Sequence, residues 1–315
     1  MKVSNIKPLV TFGLITYKQE KFITEAVLSA LSQDYSPLEI VISDDCSPDN
    51  TFLIIESLVS NYTGPHKVII HRNERNLGLA GNINRMWELS SGEFLVIQAG
   101  DDISVPHRTS RMVDVWLSTE PHPSIVYSNE MFIDESGAEI KENQTCRVVN
   151  YREVIEETLT GKKPFVIGGC AAGYSRKTHF DVGPLLLDIR AEDFIYSFRA
   201  LLSDGCIGIN EPLIMYRQNT DSIMGNFRRG SIADDRKLKG DLSRLVEYKK
   251  AICTYGNVGR YYRWVLNRQV ELAKRRLEIS NGSLGQKIRF YLWALVTCRA
   301  NFLFKAIIYR LGNGS

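Results

Sequence analysis

Four apolar strand segments separated by helical patterns fill the first hundred residues, and this alternation constrains the fold more than any other feature. The strand segments are residues 9–16, 38–43, 66–72 and 94–98. Apolar residues at helical spacing lie between them, as in Ile23, Ala26, Val27, Ala30 and Leu31. Strands that are apolar throughout are buried on both faces. The pattern therefore predicts an α/β fold, with a mostly parallel, Rossmann-like sheet and helices on both faces.

Two of these strands end in adjacent acidic residues. Asp44-Asp45 follows the second strand, and Asp101-Asp102 follows the fourth within FLVIQAGDDIS. Ligands of parallel sheets bind outside the carboxyl ends of the strands, so both pairs are expected to line a site. For Gly-Asp-Asp the alternative is ordinary turn chemistry. Adjacent carboxylates repel one another, however, and partial burial raises that cost, which a bound cation would offset.

Composition narrows the class of protein. The chain has 315 residues, of which 44% are hydrophobic and 24% charged, as in folded proteins with a sizeable core. Its six cysteines form no C-x-x-C pair and its five histidines no H-E-x-x-H motif, which argues against a disulfide framework or a zinc site. The first residues do not resemble a signal peptide. We therefore expect a cytoplasmic protein.

The net charge of +3 hides a division of the chain. Residues 226–315 carry 19 Lys and Arg against 6 Asp and Glu, whereas the first 225 residues carry 20 against 30. The division predicts two regions, 1–225 and 226–315, with different partners. Within the first region, 130–164 reads as a polar insertion or loop and 165–176 as a buried glycine-rich strand. Ser47-Pro48 reads as the capped start of a helix.

Seven short motifs follow one another in order along residues 8–225. They are Thr16-Tyr17, Asp44-Asp45 with the CSPDNT that follows, Asn76-x-Gly78, Gly100-Asp101-Asp102, Gly168-Gly169 with Arg176, Glu192-Asp193, and Tyr216-Arg217-Gln218. Each motif alone is weak, but the ordered set resembles the family-two inverting glycosyltransferases of the GT-A fold, of the bacterial surface-polysaccharide type. The first strand is not followed by G-x-G-x-x-G, which argues against a dinucleotide cofactor.

The resemblance implies a nucleotide pocket at the first two strands. Asp44 and Asp45 would accept hydrogen bonds from the base and the ribose of the donor. Thr16 and Tyr17 would line the same pocket. The alternative for the acidic pair is helix capping near Ser47.

The resemblance also implies that residues further along the chain contact the nucleotide and the diphosphate of the donor. Arg72, Asn76 and Gly78 would lie beside the nucleotide, where a glycine allows close backbone approach; an ordinary turn is the alternative. Arg217 belongs to a motif that often closes over the diphosphate, and its guanidinium would pair with phosphate. Asn219 stands where relatives often carry His.

The resemblance also implies a divalent cation, Mn²⁺ or Mg²⁺, at Asp101 and Asp102. The ion would bridge Asp101 and the diphosphate of the donor and neutralise the leaving group. The family motif is Asp-x-Asp, and its first position here is Ala99. Asp101 and Asp102 would therefore carry the metal without a third carboxylate.

An inverting transfer needs one base opposite the leaving group, which takes the proton of the acceptor hydroxyl. The resemblance assigns this role to Asp193 and the orientation of the acceptor to Glu192. The alternative is acidic residues favoured by the dipole of a helix first turn. Gly169 and Arg176 would lie on the acceptor side, although strand packing also explains the glycine.

The basic region 226–315 reads as helices that break near Gly256 and near Asn281. The last helix, over residues 284–312, has an aromatic face and basic residues on the other side, a pattern that suits an anionic membrane surface. The alternatives are packing on the catalytic domain and a homo-oligomer contact. Arg299 and Lys305 argue against a membrane span. No nucleic-acid motif accompanies the basic charge, so no nucleic-acid partner is expected.

These observations predict a metal-dependent inverting hexosyltransferase on the inner face of the cell membrane. It would move a sugar from a nucleoside diphosphate donor, a UDP-sugar, to a hydroxyl of a glycan or lipid-linked glycan. The alternative is a non-catalytic protein that keeps the fold and binds nucleotide or assembles with partners. Ala99 and Asn219 favour that alternative, whereas the intact Asp101, Asp102 and Asp193 oppose it.

Overall fold

The computed structural model describes residues 7–146, 151–160, 165–219, 234–256 and 258–280. The strands are β1 (Val10–Thr16), β2 (Leu38–Asp44), β3 (Lys67–Arg72), β4 (Phe94–Ala99), β5 (Ile103–Ser104), β6 (Ile125–Ile133), β7 (Glu139–Asn143), β8 (Ala172–Ser175) and β9 (Cys206–Arg217). The helices are α1 (Ile23–Leu31), α2 (Thr51–Ser60), α3 (Gly78–Leu89), α4 (Arg108–Leu117), α5 (Tyr151–Thr160), α6 (Arg176–Phe180), α7 (Glu192–Leu202), α8 (Asp234–Tyr255) and α9 (Arg260–Ser280).

Within these ranges nine strands form one mixed sheet. The order is β3-β2-β1-β4-β8-β6-β9-β5, with β7 paired to β6. The strands β3, β2, β1 and β4 run parallel. Strand β8 is antiparallel to both β4 and β6, and β9 is parallel to β6. The first half is the predicted parallel sheet, and antiparallel pairing begins at β8.

Helices cover both faces of this sheet, because alternate residues of each strand point to opposite sides. Ile15 and Val41 belong to one buried cluster, which also contains apolar residues of α3 and α7. Leu14 and Ile40, their neighbours along the chain, belong to a second cluster with residues of α1 and α4. The predicted α/β fold is thus confirmed, including the continuous burial of its central strands.

The segment 130–164 differs from the predicted polar loop. Strand β6 continues to Ile133 and pairs with β7, and α5 follows. Asp134 Oδ1 stabilises the turn between the two strands by accepting from the backbone N–H groups of Ser136 and Ala138, at 2.8 and 3.0 Å. The hydrophobic pattern of the sequence did not indicate this hairpin, because β7 is almost entirely exposed and charged.

Two other predicted boundaries shift. The buried strand predicted over 165–176 is confined to β8, because a 3-10 helix occupies Gly169–Ala171. Helix α2 begins at Thr51 and not at Ser47, since Ser47 hydrogen-bonds Asp44 instead. Asp49 Oδ1 accepts from the backbone N–H of Thr51 at 3.2 Å and so stabilises the start of the helix.

The basic region forms α8 and α9, which are separated near Gly256 as predicted. Tyr248, Ala251 and Ile252 of α8 belong to the same buried cluster as α7. The predicted domain boundary at residue 225 and the amphipathic helix predicted over 284–312 lie outside the described residues. Of the helices in the described part of the chain, none is long and apolar enough to cross a membrane.

A buried ion pair joins α8 to α7. Arg199 Nη2 lies 2.9 Å from Glu247 Oε2, and neither side chain has exposed surface. The guanidinium of Arg199 also donates to three backbone carbonyls, and Glu247 accepts from the backbone N–H of Leu186 at 3.1 Å. Because both charges have partners, this pair ties α8 to the helix that begins at Glu192 and Asp193.

We expect Glu247→Ala to lower the free energy of unfolding by about 3–5 kcal/mol, because it leaves a guanidinium buried without its counter-charge. The matched control is Lys250→Ala, which removes a 36% exposed partner of the same carboxylate and should cost less than about 1 kcal/mol. Urea unfolding followed by circular dichroism measures both. Equal losses in the two variants would contradict the role given to the buried pair.

Candidate active site

The predicted nucleotide and metal residues Thr16, Asp44 and Asp101 lie where three parallel strands end. In the sheet register Thr16 pairs with Asp44, and Ile15 pairs with Ala99. The backbone N–H of Asp45 donates to the carbonyl of Thr16 at 2.9 Å, just beyond that register. The segments that follow β1, β2 and β4 therefore lie side by side at one edge, as expected for a ligand cleft of a parallel sheet.

Asp44 is fully buried and holds the turn after β2. Its carboxylate accepts hydrogen bonds from the backbone N–H and the hydroxyl of Ser47, at 2.9 and 2.5 Å. Arg72 Nε lies 3.7 Å from Asp44 Oδ2, and Arg72 Nη2 donates to the carbonyl of Ser47 at 2.7 Å. The Asp44 carboxylate therefore shapes the turn after β2 and has no exposed surface, but it does not cap α2, which begins at Thr51.

The Asp45 carboxylate holds the loop that leads into α3. It accepts from Asn73 Nδ2 and from the backbone N–H groups of Leu77 and Gly78, at 2.9, 2.8 and 2.9 Å. Gly78 has a φ of +76°, which strains any residue with a Cβ. Asn76 is exposed, and its Oδ1 accepts from Gly78 N at 3.1 Å. Asp45 thus positions the loop that carries Asn76 and Gly78.

Thr16, Tyr17 and Arg72 contribute a hydroxyl, an aromatic ring and a cation to this edge. Thr16 Oγ1 is buried with no hydrogen-bond partner among the described residues and lies against Gly100, where a Cβ would come within 2.5 Å of it. The ring of Tyr17 is 39% exposed, with Lys18 Nζ 5.3 Å from its centroid. The side chain of Arg72 is 44% exposed. An exposed ring with nearby cations suits an aromatic anion such as a nucleotide.

Asp101 and Asp102 follow β4 and are both buried, with 8% and 1% of their surface exposed. Asp101 Oδ2 accepts from Asn219 Nδ2 at 2.7 Å, and Asp102 Oδ1 accepts from the backbone N–H of Arg217 at 3.0 Å. Burial raises the pKa of Asp101. Burial and then the charge of Asp101 raise the pKa of Asp102 well above its usual range. Two anions here are costly, as the sequence indicated.

A divalent cation fits this pair if the ligand supplies most of its coordination. Asp102 Oδ2 is buried without a hydrogen-bond partner in the described part of the chain, so a nearby positive charge would stabilise it. Across the described ranges no group of three or more His, Cys, Asp or Glu could hold an ion. Magnesium-like ions bind through one or two carboxylates plus phosphates and water. Asp101, the more exposed carboxylate, is the residue able to reach such an ion.

The guanidinium of Arg217 is bound by other groups of the protein, whereas the sequence predicted a contact with phosphate. Its side chain is 1% exposed. Nε donates to the carbonyl of Asp101 at 2.9 Å, Nη1 to the carbonyls of Asp134 and Glu135 at 3.1 and 2.9 Å, and Nη2 to Glu25 Oε2 at 2.5 Å. The guanidinium is thus occupied by protein oxygens, and it positions the backbone of Asp101.

Glu192 and Asp193 form the first turn of α7, as predicted. Burial raises the pKa of Asp193 to about 6, and burial followed by the charge of Asp193 raises the pKa of Glu192 to about 8. The helix dipole acts in the opposite direction, but it is worth only about 0.3–1 kcal/mol, less than one pKa unit. Burial therefore determines the direction of both pKa shifts. The helix-dipole alternative does not explain raised pKa values.

The segment Gly168–Cys170 contacts one acidic pair and is within electrostatic reach of the other. A Cβ at Gly169 would overlap Glu192 Oε1, so a larger residue there would force that carboxylate to move. Burial, and then the charges of Glu130, Asp102 and Glu192, raise the pKa of the Cys170 thiol. Gly169 is thus next to the predicted base pair, and Cys170 is within electrostatic reach of both pairs.

Arg176 does not lie where its predicted acceptor-side role requires. Its backbone N–H donates to the carbonyl of Glu93, and its Nη1 donates to the carbonyls of Ser90 and Gly92 at 3.0 and 3.4 Å. These residues precede β4, whereas Asp101 follows it. Because β8 runs antiparallel to β4, the chain leaves β8 at the opposite edge of the sheet, and the prediction is wrong about the position of Arg176.

Two buried charged residues of this region were missed from the sequence. Arg108 is fully buried, and its guanidinium donates to Ser104 Oγ and to the carbonyl of Ile97, both at 2.9 Å. Burial lowers the pKa of Arg108 to about 10. Glu130 is 6% exposed on β6. An Arg in a helix is ordinarily on the surface, and Glu130 fell in the segment read as a loop. The signal in the sequence was the apolar run at 125–127 shortly before it.

A family model covers part of this site. The model described as Glycosyl transferase family 2 matches residues 11–180, which is more than half of the chain. The matched range includes the strand ends with Thr16, Asp44 and Asp101. It stops before Glu192 and Asp193.

The matches to curated relatives span different shares of those proteins. EpsE of Bacillus subtilis (strain 168), which carries a glycosyltransferase name, is 31% identical over 133 residues, covering 42% of this chain and 47% of that protein. An uncharacterized glycosyltransferase of Methanocaldococcus jannaschii is 26% identical over 241 residues, or 74% of this chain and 79% of that protein. This chain thus matches less than half of the Bacillus protein.

Solved structures share the fold at low identity. S. aureus TarS 1–349 in complex with UDP-GlcNAc superposes with a TM-score of 0.61 at 16% identity, covering 89% of this chain and 78% of that one. Mannosyltransferase PcManGT from Pyrobaculum calidifontis, in complex with GDP-Man and Mn²⁺, gives 0.53 at 17% identity, covering 93% and 81%. By its match to the family model, the chain belongs to glycosyl transferase family 2.

Proposed function

We propose that this chain transfers a sugar, with inversion, from a UDP-sugar to a hydroxyl of a glycan or lipid-linked glycan. One observation carries the proposal: two buried acidic pairs of different chemistry are both within electrostatic reach of one segment, Gly168–Cys170. Asp101-Asp102, on one side, suits a diphosphate-bound cation. Glu192-Asp193, on the other, has raised pKa values suited to proton transfer.

The nucleotide would bind over the ends of β1 and β2. The exposed ring of Tyr17 offers a stacking surface to the base, and Thr16 Oγ1 has hydrogen-bonding capacity left. Arg72, Asn76 and Gly78 would lie along the ribose and phosphates. In this proposal Asp44 and Asp45 act mainly by holding the loops that form the pocket.

The diphosphate would lie next to Asp101, with Asp102 behind it. A divalent ion bound there, Mn²⁺ or Mg²⁺, supplies charge neutralisation for the leaving diphosphate. Arg217 holds the Asp101 backbone, and Asn219 Nδ2 orients its carboxylate. The complexes of PcManGT with GDP-Man and Mn²⁺ and of TarS with UDP-GlcNAc support a nucleotide-sugar donor.

Asp193 would act as the base. It takes the proton of the acceptor hydroxyl as that oxygen bonds to the anomeric carbon, and the bond from that carbon to the phosphate oxygen breaks on the opposite face. The electron pair of the broken bond leaves with UDP. One displacement inverts the anomeric configuration. Glu192, protonated at neutral pH, would donate a hydrogen bond that orients the acceptor.

Binding of the product nucleotide tests the donor site. We expect UDP to bind at micromolar affinity in the presence of Mn²⁺, and Asp101→Ala to weaken that binding at least about tenfold, the effect of one contact with a charged group. Isothermal titration with and without Mn²⁺ measures both. Asp114→Asn, an exposed carboxylate on α4, is the control.

Two results would count against this site. Failure of the wild type to bind UDP or any other nucleoside diphosphate would contradict the enzyme proposal. Metal-dependent UDP binding without release of UDP from any UDP-sugar would favour the non-catalytic alternative.

The pH profile tests the acidic pair. We expect the rate of UDP release to rise about tenfold from pH 5 to 7, because Asp193, with its pKa raised to about 6, must lose its proton to act. Above pH 8 the rate should fall as Glu192 ionises and stops donating a hydrogen bond. Glu192→Gln keeps a donor without a titration, so it should lose only the alkaline limb. An acid limb near pH 4, or an alkaline limb that persists in Glu192→Gln, would contradict these roles.

The setting we propose is cytoplasmic, peripheral on the inner face of the membrane, in a surface-polysaccharide pathway. Arg260, Trp264 and Lys274 are exposed along α9, a composition that suits anionic headgroups. The full chain should sediment with vesicles containing 30% phosphatidylserine but not with pure phosphatidylcholine, and about 0.5 M salt should release it. Equal sedimentation with both vesicles would contradict an electrostatic contact.

A further inference from the structure

Glu130 is a buried carboxylate with little hydrogen bonding. It lies on β6, is 6% exposed, and pairs in register with Asn143 of β7 and Ile214 of β9. Its Oε2 accepts from Asn143 Nδ2 at 2.9 Å, and its Oε1 has the thiol of Cys170 at 3.8 Å. A thiol is a weak donor, whereas a carboxylate has about four acceptor positions. Most of its acceptor capacity is therefore unused.

Glu130 has no direct ion-pair partner among the described residues. In the part of the chain that the structure describes, no Lys, Arg or His forms an ion pair with it, and no cluster including it could hold a metal. Burial raises the pKa of Glu130, while the Asn143 and Cys170 hydrogen bonds and the charge of Arg108 lower it. A buried carboxylate that lacks both an ion pair and a full set of donors is costly unless a ligand completes it.

The place of Glu130 indicates which ligand that would be. A Cβ at Gly168 would come within 2.7 Å of Glu130 Oε1, and one at Gly169 would overlap Glu192 Oε1. The two glycines, which are neighbours in the chain, thus lie directly against one carboxylate each, and this places Glu130 close to Glu192. Glu130 also acts on the pKa values of Asp102 and Tyr216 through its charge. Glu130 is therefore within electrostatic reach of Asp102 and, through Gly168 and Gly169, close to Glu192.

We propose that Glu130 accepts hydrogen bonds from the hydroxyl groups of a pyranose bound between the two acidic pairs, and so selects the sugar. The inference rests on the proposed glycosyl transfer, since that reaction places a pyranose there. Sugar hydroxyls are neutral donors that can complete a carboxylate without a counter-ion. A site that relies on such bonds discriminates strongly against a sugar that lacks the hydroxyl. The pyranose is that of the donor or that of the acceptor.

Glu130→Gln tests the inference, because the amide oxygen can still accept from Asn143 while the negative charge is lost. The matched control is Glu139→Gln, an exposed carboxylate on β7. Titrations with UDP, UDP-glucose and UDP-N-acetylglucosamine are compared in the full-length wild type and both variants. Transfer to p-nitrophenyl pyranosides is compared with transfer to glycerol, and thermal melting checks the fold.

If Glu130 binds the donor sugar, Glu130→Gln should bind UDP as the wild type does but raise the KM for the accepted UDP-sugar about 10- to 100-fold. If it binds the acceptor sugar, donor binding and hydrolysis should stay unchanged, while transfer to pyranosides falls about 10- to 100-fold relative to glycerol.

Other results would overturn the inference. Unchanged donor binding, hydrolysis and transfer in Glu130→Gln would leave the proposed function standing and remove only the role of Glu130. The same holds for an equal loss of UDP and UDP-sugar binding with a lower melting temperature, which indicates a purely structural carboxylate. Failure of the wild type to bind any nucleotide would overturn both proposals at once.

Discussion

The parallel register of β1, β2 and β4 is the constraint on which the site depends. Because Thr16 lies opposite Asp44 and Ile15 opposite Ala99, the three segments that follow these strands leave the sheet side by side. A slip of one residue would turn each strand's side chains to the other face and bury the wrong set. The two apolar clusters that hold this register are far larger than the site. The acidic residues are thus brought together by packing that they do not themselves favour.

The structure also buries several charged side chains, and some of these have a counter-charge whereas others do not. Arg199 and Glu247 compensate one another completely, and their pair joins α8 to α7. Among the described residues neither Asp101 and Asp102 nor Glu192 and Asp193 have such an ion-pair partner, and burial raises the pKa of all four. Raised carboxylate pKa values reduce stability at neutral pH. A protein retains such groups where ligands or protons interact with them, which is the pattern of a functional site.

The sequence predicted the parallel half of the fold and the positions of both acidic pairs, because strand burial and helical periodicity depend on neighbours along the chain. It was less successful where a role depends on distant partners. Arg217 matched a motif, yet protein oxygens occupy its guanidinium. Arg176 matched another motif, yet the antiparallel direction of β8 places it at the far edge. Asp44 proved to hold a turn through Ser47, a contact that spacing alone left open.

By itself the sequence determined the alternation of strands and helices, the order of the motifs and the division of charge, since these are local properties of composition and spacing. Only the tertiary structure decided which carboxylates lack partners. Glu130 and Glu192 are 62 residues apart in sequence, yet Gly168 and Gly169 lie against one carboxylate each. That arrangement depends on the mixed pairing of β6, β8 and β9, which brings distant segments into one cleft. Hydrogen bonding and burial are set by such long-range contacts, and no local pattern encodes them.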